Sequence, residues 1–161
     1  MEVPFLSRLR RNHALEHATI AVLHQRRGRV HSSFGHSTPW SFHLHGPYDA
    51  DEVESAVGEA LDRLRAGERH LAYSPFCGTN IAVTGVLTAS TALVAAGRSR
   101  RKGWSNAVLA ATFATLVAAR AGLWLQRTVT TDPEAGSLRV RRVVQLAPRG
   151  DIQHVRVDLA P

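Results

Sequence analysis

Two apolar stretches constrain this chain more than any other feature. Residues 78–97 (GTNIAVTGVLTASTALVAAG) carry no charge, and residues 105–126 (SNAVLAATFATLVAARAGLWLQ) carry one, Arg120. As helices, each would be about 30 Å long, the thickness of a bilayer's hydrocarbon core. With a short basic tip between them (Arg98-Ser-Arg-Arg-Lys102), they predict a transmembrane helical hairpin over residues 78–127. A buried soluble hairpin is the competing reading, because both segments favour Ala and Thr over Leu. The uncharged length and the basic flanks favour the membrane. A hairpin returns the chain to the side it left, so the flanking segments are expected to build one domain together.

Small residues support a close helical pair. Thr84, Thr88, Ala92 and Ala96 form one ridge at spacing four, and Ala110, Ala114, Ala118 and Gly122 form another. Such ridges let backbones approach closely in lipid. Trp104 and Trp124 lie near the ends of the second segment, where interfacial indoles are favoured. Arg120 is about 10 Å from the segment's end, within reach of the interface by snorkelling. Pairing with an acid of the soluble part is its alternative role.

The formal charge is +7, and Lys102 is the only lysine. The excess centres on residues 98–120 rather than along a surface with interleaved aromatics, which argues against a nucleic-acid stripe. One cysteine, Cys77, excludes an intrachain disulfide. Glu2, Pro4, Arg8, Arg10 and Arg11 interrupt any leading apolar run, so the N-terminus does not read as a signal peptide. The basic tip favours a cytoplasmic tip, but the domain side also holds arginines close to the hairpin. Without an export signal, a bacterial inner membrane with a cytoplasmic soluble domain is expected.

The remaining segments read as a small α+β domain. Residues 5–26 predict a helix with apolar residues on several faces, hence buried on more than one side. Residues 29–46 predict a hairpin, in which Trp40, Phe42 and Leu44 alternate with Ser41, His43 and His45. Residues 50–66 predict an amphipathic helix capped by Asp49 with Glu52 as reciprocal partner, ending at Gly67. Residues 137–146 and 152–159 predict strands joined by Pro148-Arg-Gly-Asp151. The expected whole has two helices and about four strands, with a two-helix transmembrane hairpin inserted. Residues 1–77 give its N-terminal α+β part, 78–127 the hairpin, and 128–161 the strands that complete it.

The first helix carries the chemistry. His13-Ala-Leu-Glu16-His17 spells H-x-x-E-H, the signature of inverted zinc peptidases. Side chains four apart share a helix face, so His13 and His17 could bind one zinc. Glu16 would take a proton from metal-bound water. Random order gives this pattern in about 2% of chains of this composition. A catalytic zinc needs three protein ligands, and the candidates for the third are Cys77, His43, His45 and His70. Two readings follow: a membrane-anchored metal-dependent hydrolase, peptidase-like, or a non-enzymatic membrane protein that binds metal, assists assembly or serves as a structural subunit. A protein partner in the membrane fits either. Under the second, the motif is a packing and hydrogen-bonding helix.

The segments Asn12-His-Ala-Leu-Glu-His-Ala-Thr-Ile20, Ser37-Thr-Pro-Trp40 and Cys77-Gly-Thr-Asn80, with Gly122-Leu-Trp-Leu-Gln-Arg127 and Val129-Thr-Thr131, carry a resemblance. The chain resembles an uncharacterised bacterial membrane-protein family known as a domain of unknown function. That resemblance implies a membrane hairpin and a shared architecture over most of the chain, and supplies no activity. Similarity to the inverted zinc peptidases is confined to the five-residue motif.

Overall fold

A computed structural model describes residues 4–27, 33–97 and 100–160. The chain divides into two compact units. One joins residues 1–73 to 130–161, and the other is Ser74–Val129. The first strand of the expected 29–46 hairpin begins at Phe34; residues 28–32, part of the basic tip and the extreme termini lie outside the described residues.

The first unit is an α+β fold. Helix α1 spans Pro4–Arg27, strands β1 and β2 span Phe34–Ser37 and Ser41–Gly46, and helix α2 spans Ala50–Arg65. A short 3-10 turn covers Arg69–Ala72, and after the second unit strands β3 (Arg139–Arg149) and β4 (Ile152–Ala160) close the sheet. The order is β1-β2-β4-β3, antiparallel throughout. The late strand β4 therefore lies beside the early strand β2, so the C-terminal segment completes the sheet begun before the hairpin.

Alternation decides which residues face the helices. Phe42, Leu44, Val155, Val157 and Leu159 are buried on one face of the sheet, packed with Leu15, Ala18, Val22 and Leu23 of α1 and Val53, Val57, Leu61 and Leu64 of α2. Helix α1 is buried around most of its middle, from Ala14 to Thr19. That is why its apolar residues occupy several faces instead of one stripe. Thr19 Oγ1 returns a hydrogen bond to Leu15 O at 2.7 Å, which satisfies its buried hydroxyl. Helix α2 begins as expected, with the Asp49 carboxylate accepting from Glu52 N at 2.8 Å. The Glu52 side chain does something else: it pairs with Arg27 of α1.

The second unit is a helical hairpin, α3 over Gly78–Ala96 and α4 over Arg100–Leu125, with a wider helical turn over Gln126–Thr130. Among the described residues, two helices are long and apolar enough to cross a membrane. Nearly all of their apolar surface is uncovered, including Ile81, Val86, Leu93, Val94, Leu109, Phe113, Leu116 and Val117. The core helix of a soluble protein would bury such side chains. Thr88 and Thr115 hydroxyls meet at 3.1 Å between the helices. Ala118 is buried on the same seam, as the small-residue ridges require. Trp104, Trp124 and Arg120 are exposed.

Two polar side chains organise one end of this hairpin. Gln126, fully buried, accepts from Ser74 N at 3.0 Å and donates to Ser74 O at 2.7 Å, so its amide closes a ring with the backbone N–H and C=O of one residue. Asn80 Nδ2 donates to Ser74 O and Pro75 O at 3.1 and 3.3 Å. A Cβ on Gly122 would stand 2.5 Å from Asn80 Oδ1, so only glycine fits there. The Cys-Gly-Thr-Asn and Gly-Leu-Trp-Leu-Gln segments are thus halves of one polar latch.

Candidate metal centre

The two motif histidines sit one turn apart on α1, and their ligand atoms lie within 4.8 Å of each other. The rings meet edge to face, with centroids 4.4 Å apart. Each ring is fixed from behind by a backbone carbonyl. His17 Nδ1 donates to Ala72 O at 2.9 Å, and His13 Nδ1 donates to Thr130 O at 3.1 Å. A carbonyl can only accept, so each Nδ1 carries the proton and a neutral ring has its lone pair on Nε2. A ring N–H held by a backbone carbonyl is the usual support for a metal-binding histidine.

The segments that supply those carbonyls are themselves tied down. The 130–132 segment crosses α1 through Asp132 N to Arg10 O at 3.1 Å and Arg11 Nε to Asp132 Oδ2 at 3.2 Å. The Arg69–Ala72 turn packs against α1 as well. His17 is 5% exposed and His13 half-buried.

Glu16 points elsewhere. It is 3% exposed, and its Oε2 accepts from Ser37 Oγ at 2.6 Å. Its Oε1 lies where a Cβ on Gly35 would approach to 2.6 Å. The carboxylate thus packs closely against β1, with Oε2 bonded to Ser37. Asn12, also buried, donates to Thr38 O at 2.8 Å. Thr38 turns the chain by accepting from Ser41 N at 3.0 Å, and Arg8 covers the Trp40 ring at 4.5 Å. The Asn12–Ile20 and Ser37–Trp40 motifs are one contact seen from two sides.

The expected third ligands separate. His43 and His45 alternate with Phe42 and Leu44, so they project from the sheet face opposite α1 and stay remote from His13 and His17. His70 is exposed on the 3-10 turn. Cys77 is buried, in the chain just ahead of α3. On the far sheet face the structure gathers a group that sequence reading left incomplete. His36, His43, His45 and His154 stack there, with His43 Nδ1 and His154 Nε2 2.9 Å apart. The period-two spacing of His43 and His45 was the visible signal. Burial is the largest cause pushing His43 down from 6.5 to about 4, followed by the charges of His36, His154, Arg156 and His45.

A domain model of unknown function, DUF6391, matches residues 8–143, most of the chain and both units. The chain belongs to the DUF6391 family. An uncharacterised protein of Picosynechococcus sp. is 44% identical over 92 residues, which cover 52% of this chain and 45% of that protein. This DUF6391 chain therefore aligns with less than half of that curated relative's length. No solved structure matches it.

Proposed function

We propose that this DUF6391 protein is a membrane-anchored metalloprotein whose α1 helix binds zinc through His13 and His17. The observation that carries the reading is the pair of Nδ1–H to carbonyl bonds, which present two Nε2 lone pairs from one helix face. Cys77 is the third ligand in this proposal. It follows Ala72, the residue whose carbonyl holds His17, by five positions, and a thiolate is a favoured zinc donor. The hairpin spans a bacterial inner membrane, and the α+β unit lies on its cytoplasmic side. Support comes from two long apolar helices with uncovered surface and from tryptophans near both ends of α4.

Metal binding without hydrolysis is the reading that Glu16 favours. A peptidase-like hydrolase needs this carboxylate beside a metal-bound water. Here Ser37 bonds it to β1, in the space that Gly35 leaves open. The test uses the full chain, purified in detergent without a polyhistidine tag and loaded with cobalt(II). A thiolate-to-cobalt charge-transfer band is expected in the wild type, absent in Cys77→Ser and in His17→Ala. Absence of that band from the wild type refutes thiolate ligation, and no cobalt at His13 and His17 refutes the centre itself. Glu16→Gln should keep the band. Peptide cleavage that requires metal and disappears in Glu16→Gln would restore the hydrolase.

A further inference from the structure

The far face of the sheet holds four of the chain's nine histidines. Strand register puts them there in adjoining pairs: His36 opposite His43 across β1 and β2, and His45 opposite His154 across β2 and β4. The facing rings stack, with centroids 4.6 Å apart for His36–His43 and 4.2 Å for His45–His154. The diagonal pair, His43 and His154, is tilted by 38°, with centroids 5.1 Å apart. Its two ring nitrogens point at each other across 2.9 Å. His36 is exposed and His43 and His154 are half-buried, so the diagonal pair is open to solvent, whereas His45 is buried.

Metal-free, that contact is an N–H···N hydrogen bond between two neutral imidazoles. Its length is also close to what a metal requires. Two nitrogens bound at about 2.0–2.1 Å stand about 2.9 Å apart at a right angle and about 3.3 Å apart at a tetrahedral angle. Loading needs only that the proton between the rings be relocated, through solvent, to the other nitrogen of the ring that carried it. The rings stay neutral, and no net charge is lost. Parallel stacked rings cannot share a metal that lies in both ring planes, whereas the tilted pair can. Arg156 and Asp158 lie on the same face and neutralise each other, with Nε to Oδ1 at 3.0 Å; Arg142 also reaches Asp158.

We infer that His43 Nδ1 and His154 Nε2 form a second, two-histidine metal site for an imidazole-preferring divalent ion, copper(II) above all. Copper(II) binds nitrogen sites more tightly than its first-row neighbours. The site is independent of the α1 centre, whose residues lie on the opposite side of the sheet.

The test titrates copper(II) into the detergent-purified full chain, without a polyhistidine tag, and records electron paramagnetic resonance. The His13→Gln/His17→Gln variant should still bind copper with hyperfine coupling to at least two nitrogens. Adding His43→Gln/His154→Gln to that variant should weaken copper binding at least ten-fold. Equal copper affinity with and without His43→Gln/His154→Gln in the His13→Gln/His17→Gln background overturns the inference. So does loss of all nitrogen-coupled copper in the His13/His17 variant, a measurement that leaves the sheet histidines unaltered.

Discussion

Replacing Gln126 by leucine tests the polar latch of the hairpin. In the wild type, the buried Gln126 amide pairs with both the backbone N–H and the backbone carbonyl of Ser74, at 3.0 Å from N and 2.7 Å from O. Leucine has similar bulk and no polar atom. Ser74 O keeps Asn80 as a donor, whereas Ser74 N loses the acceptor it has in Gln126. Stranding a half-buried N–H costs about 1–2 kcal/mol, and the second bond adds about 1 kcal/mol, for a total of about 2–3 kcal/mol. Asn80→Ala should cost less, about 1 kcal/mol. It breaks two longer bonds but also removes Oδ1, a buried acceptor with no hydrogen-bond partner among the described residues. The assay is reversible unfolding in mixed dodecyl maltoside and SDS micelles, followed by Trp104 and Trp124 fluorescence. Gln126→Leu within about 0.5 kcal/mol of wild type, or Asn80→Ala the more damaging of the two, refutes the latch.

Three further outcomes follow from close contacts and from titration. Gly122→Ala should destabilise by about 1–3 kcal/mol through its clash with Asn80 Oδ1, and Asn80→Ala should recover most of that in a double-mutant cycle. Gly35→Ala should cost a similar amount by displacing the Glu16 carboxylate from Ser37. Adding Glu16→Asp, one methylene shorter, should soften the loss; thermal unfolding that is unchanged in Gly35→Ala contradicts the packing. Because His43 titrates near 4 when folded and near 6.5 when unfolded, the unfolded chain binds more protons between those values. Stability should therefore fall as pH drops from about 6.5 towards 4, and His43→Gln should flatten that part of the profile.

Much of the architecture was legible because its signals are local. Helix α2 announced itself through Asp49 and the Val53, Val57, Leu61 and Leu64 stripe, the observed cap and buried face. Strand β4 announced itself through the alternation of Val155, Val157 and Leu159, and the hairpin through uncharged length alone. The Glu52 side chain was misread, because a capping box competes with any arginine that packing brings near, here Arg27. Likewise His43 and His45 were candidates for the α1 centre until the sheet assigned them a face.

The sequence by itself determined that His13 and His17 share a helix face, since the α-helical period fixes residues four apart. It also determined that two helices long enough for a bilayer interrupt an α+β domain. Only the tertiary structure decided which atoms stand behind those rings. The Ala72 and Thr130 carbonyls lie 55 and 117 residues away from their histidines, and a backbone carbonyl has no side-chain identity that a sequence could advertise. The same holds for the far face, where His36, His43, His45 and His154 meet because the strand order is β1-β2-β4-β3. Alternation is local and can be read along the chain; pairing between distant strands is settled by burial of the whole sheet.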